Sequence, residues 1–162
     1  MHKTNGILII LLMISVSCRQ NVTFDRYTST PMGWGVDQPI EYKFEINNTA
    51  EKHKLYLKLR TTESYPFSNL FLLVDLHYPN GQIQKDTLEF LMATPEGKML
   101  GDGYGNIKEH KLWYKGHNST FFFTQKGEYT ISISHANRKL GQEEGLNFLE
   151  GVIDVGFSVE TN

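Results

Sequence analysis

The sequence contains one cysteine, no second long apolar run and no excess of positive charge. Its single cysteine, Cys18, has no partner within the chain, which excludes a disulfide framework. A membrane-spanning helix needs about 20 apolar residues, and no such run follows the N-terminal segment. Lys and Arg number 16 against 18 acidic residues, so there is no basic stripe of the kind that binds nucleic acid. The composition predicts one domain held together by core packing, with no nucleic-acid partner.

The chain also lacks the short motifs of common reaction centres. It has no G-x-S-x-G elbow, no H-E-x-x-H zinc motif, no Walker loop and no C-x-x-C pair. Its histidines are dispersed, and no two stand at the i, i+2 spacing that would place both on one face of a strand. The glycine-rich segment 101–106 supplies only Asp102 and Asn106 as oxygen ligands, so we interpret it as a bend. We therefore predict no enzyme, no metal and no cofactor.

The N-terminal segment has the pattern of a lipoprotein signal peptide. His2 and Lys3 precede an apolar run over residues 7–16, and Cys18 follows almost at once after small residues. A positive start, a short apolar run and a small-residue exit are typical of secretion signals. A cysteine at that exit predicts cleavage before Cys18 and lipid attachment to its thiol, which would anchor the chain to a membrane. The alternative is an ordinary signal peptide with an incidental cysteine.

These signals divide the chain into three parts. We predict a signal peptide over 1–17, a lipid-anchored spacer over 18–36 and a β-sandwich domain over 37–162. The spacer is rich in Thr, Ser, Gly and Pro and lacks an apolar period. Acidic residues directly after the lipidated cysteine direct some lipoproteins to the cell surface, but Asp25 is the first acid here. We therefore expect the domain to face the periplasm.

Alternating apolar and polar residues predict β-strands from residue 40 onward. Ile40, Tyr42, Phe44 and Ile46 share one parity, which gives a strand one buried and one exposed face. The segment 71–78 is apolar on both parities apart from Asp75 and His77. We interpret it as a central strand covered on both faces, with those two residues as a buried polar pair. Eight strands are predicted, at 40–46, 55–60, 71–78, 83–93, 107–115, 120–125, 128–135 and 152–160.

Short strands separated by turn signals predict an all-β fold. Pro79, Asn80 and Gly81 supply a hairpin turn, because Asn and Gly tolerate positive φ. The segment 138–149 is interrupted by glycines and is expected to be a loop. About eight strands at this spacing favour an antiparallel β-sandwich of jelly-roll or immunoglobulin-like type.

Aromatic residues make up 12% of the chain and suggest a surface for contact with a partner or a glycan. Aromatic rings can form a platform on which sugars stack, and they can equally serve core and edge packing. Both interpretations remain open for four residues: Trp34, Tyr65, Trp113 and Tyr114.

Five segments, taken in order, resemble the gliding motility-associated lipoprotein GldH family. They are 65–70 (Tyr-Pro-Phe-Ser-Asn-Leu), 79–81 (Pro-Asn-Gly), 86–90 (Asp-Thr-Leu-Glu-Phe), 100–107 (Leu-Gly-Asp-Gly-Tyr-Gly-Asn-Ile) and 151–157 (Gly-Val-Ile-Asp-Val-Gly-Phe). The chain departs from that pattern at Met99, where Trp is usual, and at Asn137. The resemblance implies a cell-envelope lipoprotein that acts in gliding motility, without catalytic residues.

Two functional hypotheses follow. The first is a structural or interaction lipoprotein, held at a membrane by its N-terminal lipid and contacting other envelope or gliding-machinery proteins. Sheet edges and the corner at 66–70 would be its natural contact points. The second is a glycan-binding β-sandwich lipoprotein that uses the aromatic residues named above.

Overall fold

The computed structural model describes residues 21–139 and 141–161, so the predicted signal peptide and Cys18 lie outside the described residues. Within those ranges the chain contains no helix. Its strands, in chain order, are β1 Asn21–Ser29, β2 Trp34–Gly35, β3 Ile40–Ile46, β4 His53–Thr62, β5 Asn69–His77, β6 Ile83–Leu91, β7 Ile107–Lys115, β8 Gly127–His135, β9 Phe148–Leu149 and β10 Val152–Thr161.

The strands form two four-stranded antiparallel sheets. The first sheet has the order β1-β10-β4-β7 and the second has the order β3-β8-β5-β6. The two short strands β2 and β9 pair separately. Tyr42 of the second sheet reaches across to the first, where its hydroxyl donates to the Val155 carbonyl at 2.6 Å. The prediction of an all-β antiparallel sandwich is confirmed.

The core lies between the inner faces of the sheets, as the alternation of residues requires. Burying a leucine side chain between the two sheets stabilises the fold by about 1.5–3 kcal/mol relative to leaving it exposed. Rings fill the space near the end of β3, where Phe44 stacks on Tyr129 with centroids 5.8 Å apart. The fully buried aliphatic side chains of β4 and β5 are Leu55, Leu57, Leu59, Leu70, Leu72, Val74 and Leu76.

The segment predicted as a spacer is largely part of the sandwich. Strand β1 pairs with β10 from Asn21 opposite Thr161 to Ser29 opposite Asp154, with one bulge after Val22. The spacer prediction over 18–36 therefore needs correction from Asn21 onward. The sequence does not predict this strand because it lies at a sheet edge. Backbone pairing with β10 is sufficient to hold it there, and only the side chains of Phe24 and Tyr27 are partly buried.

Two further expectations differ from the structure. The segment 120–125 forms no strand, since it pairs only through one bridge between Phe121 and His53. It serves instead to bring Phe123 into the core, where it is 1% exposed. Strand β5 is central, between β8 and β6, but only its inner face is covered: Leu73 is 43% exposed. Asp75 consequently lies on the outer face, where it pairs with Lys85 and not with a histidine.

The strand directions place the loops at two ends of the sandwich. One end contains the start of β1 and three connections, 47–52, 78–82 and 116–126; we call it the Asn21 end. The 78–82 connection is the predicted hairpin turn, closed by a hydrogen bond from the Gly81 N–H to the Tyr78 carbonyl at 2.9 Å. The opposite end contains four connections, 30–39, 63–68, 92–106 and 136–151, which together hold most of the loop residues; we call it the loop-rich end.

On the outer face of the first sheet, Tyr27 of β1 lies over Gly156 of β10. Its ring is 4.4 Å from Lys58 Nζ and 4.2 Å from Arg60 Cζ, so two cations contact one aromatic ring. Its hydroxyl donates to Glu109 Oε1 at 2.8 Å. Burial first, and then this hydrogen bond to a carboxylate, raise the pKa of Tyr27 well above its ordinary value. The absence of a side chain at position 156 makes this arrangement possible.

We expect Gly156→Ala to lower the free energy of unfolding by about 1–3 kcal/mol through overpacking. A Cβ there would stand 2.6 Å from Tyr27 Cδ1 and 2.8 Å from the Arg26 carbonyl oxygen. Gly145→Ala is the matched control, because the nearest atom to its Cβ would be 3.8 Å away. Urea unfolding measures both, and a Gly156→Ala protein as stable as the Gly145→Ala protein would contradict this packing.

Candidate functional site

Two of the four aromatic candidates are buried and cannot contact a partner in this fold. Trp34 is 0% exposed, and its indole Nε1 donates to the Gln38 carbonyl at 2.9 Å. Tyr65 is 4% exposed, and its hydroxyl donates to the Asn69 carbonyl at 2.6 Å. Burial is the main cause that raises the pKa of Tyr65. Both residues close the core at the loop-rich end, which corrects their interpretation as contact residues.

Trp113 and Tyr114 of β7 line an open cavity of about 480 Å³ near the Asn21 end. The Trp113 ring packs against His117 and Tyr56, each with a centroid separation of 4.4 Å. The Tyr114 hydroxyl donates to Asp86 Oδ2 at 2.7 Å. Both aromatic side chains are therefore engaged with neighbours but remain half-buried at an open cavity, and their role in contact with a partner or a glycan stays a prediction.

Asp86 joins the two sheets along their β6 and β7 edges. Its Oδ2 accepts hydrogen bonds from the Tyr114 hydroxyl at 2.7 Å and from Lys115 Nζ at 3.0 Å, and Gln84 Nε2 adds a bond at 3.2 Å to the same carboxylate. Burial alone would raise the pKa of Asp86, but these donors outweigh it and hold the pKa below its ordinary value. The same contact, after burial, raises the pKa of Tyr114. This carboxylate thus stabilises the closed edge when it is ionised.

The loop-rich end carries most of the exposed large apolar side chains of the molecule. Of the eleven such side chains among the described residues, seven lie at this end. Tyr104 is fully exposed, and Met32 is 86% exposed. A concentration of exposed apolar side chains at one end favours that end as the site of protein interaction. The seven are Met32, Val36, Leu91, Leu100, Tyr104, Ile107 and Phe148.

Tyr104 is held outward by its glycine-rich loop. Gly101, Gly103 and Gly105 have φ values of +96°, +133° and +70°, a region that L side chains rarely adopt. Asp102 and Glu109 exchange two backbone hydrogen bonds at 2.7 and 2.8 Å, which ties the loop to β7. The glycine spacing predicts the bend that the structure shows here, but it carries no signal for the tyrosine at the tip, because spacing does not reveal which side chain a bend exposes.

A cavity of about 480 Å³ lies beside this loop. Arg60 bonds to Glu109 through Nε at 3.3 Å and contacts Asp154 through Nη1 at 3.6 Å, so its charge is neutralised within the sheet. The cavity therefore combines an apolar rim with paired charges. Its lining residues are Arg60, Asp102, Gly103, Tyr104, Ile107, Glu109 and Lys111.

The loop-rich end is also acidic. Its four connections carry seven acidic residues and three basic ones, Lys98, Arg138 and Lys139, for a net charge of −4. Together with the exposed apolar residues, this charge suits a partner whose surface is basic and partly apolar. The acidic residues are Asp37, Glu63, Glu96, Asp102, Glu143, Glu144 and Glu150.

Neither a metal centre nor a spanning helix is found in the part of the chain that the structure describes. Among residues 21–139 and 141–161, no three His, Cys, Asp or Glu side chains are grouped so as to hold a metal ion. Over the same residues, no helix has the length and apolar character needed to cross a membrane. Cys18, the predicted lipidation site, lies outside the described residues.

The fold defines a class: an antiparallel β-sandwich with its long loops gathered at one end. The model of the family described as GldH lipoprotein matches residues 22–159, and the chain belongs to that family. The match begins within β1 and ends within β10, so it includes both partners of the pairing at the sheet edge.

Two relatives match almost end to end. The gliding motility lipoprotein GldH of Flavobacterium johnsoniae is 38% identical over 158 residues, covering 98% of this chain and 96% of its own. A gliding motility lipoprotein GldH homolog of Christiangramia forsetii is 36% identical over 154 residues, and the match covers 95% of this chain and 93% of the relative. Among solved structures, the VP2 subviral particle of infectious bursal disease virus is 16% identical with a TM-score of 0.36. The match covers 90% of this chain and 33% of the viral chain.

We expect Asp86→Asn to lower the free energy of unfolding by about 1–3 kcal/mol, because Lys115 loses its charged partner while only 15% exposed. A carboxylate with a lowered folded pKa stabilises the fold above its unfolded pKa of about 3.9, and this stabilisation is lost as the pH falls through the folded value. The difference in the free energy of unfolding between wild type and Asp86→Asn should therefore have its full size at neutral pH and disappear in acid.

Asp75→Asn is the matched control for this prediction. Its partner Lys85 is 70% exposed, so the loss should be below about 1 kcal/mol. Urea unfolding at a series of pH values measures both variants. If the free energy of unfolding of Asp86→Asn stayed below that of wild type by the same amount from neutral to acid pH, the assigned role of the carboxylate would be contradicted.

Proposed function

We propose that this chain is a lipid-anchored component of the cell envelope that acts in gliding motility by binding other envelope proteins, without catalysis. Cys18 carries the lipid, and the sandwich faces the periplasm. Membership of the GldH lipoprotein family supports both a role in gliding motility and a lipid anchor. The lack of an acidic residue between Cys18 and Asp25 supports the periplasmic orientation.

The observation that carries this proposal is the position of β1. The strand begins at Asn21, three residues after Cys18, and is paired with β10 along its length apart from the bulge after Val22. A lipid on Cys18 therefore holds the sandwich itself at the membrane, with the Asn21 end nearest to it. Nine residues of strand span about 30 Å, so the loop-rich end projects away from the bilayer. That geometry suits a protein that presents a surface to partners.

The loop-rich end is the partner-binding surface of the proposal. Tyrosines at the centre of protein interfaces often dominate the binding energy, since a rigid ring buries much area at low entropic cost. Tyr104 is fully exposed, and Leu100 and Ile107 flank its loop. The acidic connections around it would orient a basic partner before the apolar contacts form.

Replacing Cys18 by alanine should leave the chain without lipid and release it from the membrane fraction. The physical reason is that no other segment of the mature sequence has an apolar run long enough to hold a bilayer. Mass spectrometry of the N-terminal peptide and membrane fractionation measure the outcome, with Ser17→Ala as the control. A wild-type protein with a free thiol at Cys18 would overturn the anchor.

Tyr104→Ala should abolish the function while leaving fold and anchor intact. Truncating an interface hot spot costs about 2 kcal/mol or more, which is roughly 30-fold in affinity. The measurement is colony spreading of a GldH-deficient gliding strain complemented with the variant. Leu73→Ala removes an accessible apolar side chain from the outer face of the second sheet and should complement fully. Normal spreading with Tyr104→Ala would contradict the assigned surface.

A further inference from the structure

We propose that the Asn21 end docks directly on the face of an anionic phospholipid bilayer. The contact surface consists of Phe122 and three lysines, Lys52, Lys54 and Lys126. This inference rests on the proposed lipid anchor at Cys18 and extends it: beyond the lipid, the folded domain itself recognises the membrane.

The short tether keeps this end at the membrane surface. Asn21 lies three residues after Cys18, and even a fully extended chain of that length spans only about 10 Å. The sandwich is about 30 Å long by the length of β1, so the tether is short relative to the domain. The loops beside Asn21 therefore lie within reach of the lipid headgroups, and their chemistry decides whether they bind or avoid them.

Phe122 is presented outward by its neighbours. Phe121 and Phe123 both pack against the core cluster, with ring centroids 5.1 Å apart, and Phe123 is 1% exposed. These two anchored rings fix the backbone between them, which leaves Phe122 on the outside and 43% exposed. An aromatic ring held in this way is suited to the boundary between headgroups and acyl chains.

Three lysines lie at the same end of the sandwich as this exposed ring. Lys52 and Lys126 lie in loops, and Lys54 follows at the start of β4. None of the three forms an ion pair with another described residue. Glu51 is the one acid in the three connections of this end, which carry a net charge of +1. Glu160 of β10 lies opposite Lys54 but pairs with Lys111. Unpaired lysines beside an apolar side chain match an anionic lipid surface.

The charge asymmetry of the sandwich favours the same orientation. The loop-rich end has a net charge of −4 in its connections, against +1 at the Asn21 end. An anionic bilayer attracts one end and repels the other, so the sandwich stands upright on the membrane and keeps Tyr104 away from it. Docking thus orients the partner-binding surface in addition to holding the protein in place.

The test uses the full lipidated protein in vesicles of phosphatidylcholine and phosphatidylglycerol with acyl chains brominated near the headgroups. Bromine quenches indole emission at close range. Phe122→Trp adds an indole at the Asn21 end, and Tyr104→Trp adds one at the loop-rich end; both positions are exposed. We expect the quenched fraction of emission to rise with Phe122→Trp and to fall with Tyr104→Trp, relative to wild type.

Charge reversal separates docking from anchoring. In the Phe122→Trp background, the combined changes Lys52→Glu, Lys54→Glu and Lys126→Glu should abolish the additional quenching while the protein still floats with the vesicles. The matched control reverses three lysines at the loop-rich end that likewise form no ion pair with another described residue, Lys98, Lys108 and Lys139, and should retain the quenching.

Each outcome decides one claim. Equal quenching of the two added indoles in protein that floats would overturn docking and leave the lipid anchor standing. If wild-type protein isolated from cells carries no lipid on Cys18 and does not float, the anchor is overturned, and docking with it.

Discussion

The pairing of β1 with β10 is the constraint on which the rest of this structure depends. It completes the first sheet, covers the Gly156 position with Tyr27 and fixes where the N-terminal tether meets the folded domain. Because the strand begins at Asn21, the chain has almost no length over which the domain could move relative to an anchor at Cys18. The proposed separation of the molecule into a membrane-facing and a partner-facing end follows from this one pairing.

Aromatic packing closes the two ends of the sandwich, and an ionised carboxylate closes one of its edges. Aromatic rings fill the ends: Trp34 and Tyr65 at the loop-rich end, and Phe123 at the Asn21 end. The ionised Asp86 carboxylate closes the β6–β7 edge. Large aromatic side chains can therefore serve stability in this fold, so aromatic content alone does not separate a ligand site from core packing.

The sequence predicts the interior of this fold better than its margins. Strands with one buried face, such as β3 and β8, follow from alternation, because their inner residues must be apolar. Strand β1 was missed since an edge strand is stabilised by backbone hydrogen bonds that leave little trace in composition. The exposure of Tyr104 and Phe122 was also out of reach: it depends on glycine φ values and on how neighbouring rings pack, neither of which has a periodic signature.

Amide hydrogen exchange over Asn21–Ser29 in the full-length protein tests the central claim most directly. If β1 is a paired edge strand, the amides that bond to β10 should exchange slowly and those that point outward should exchange fast, in alternation along the strand. Uniformly fast exchange across these residues would mean that a flexible spacer joins the lipid to the domain. The β1–β10 pairing, and the fixed orientation of the sandwich on the membrane, would then both be wrong.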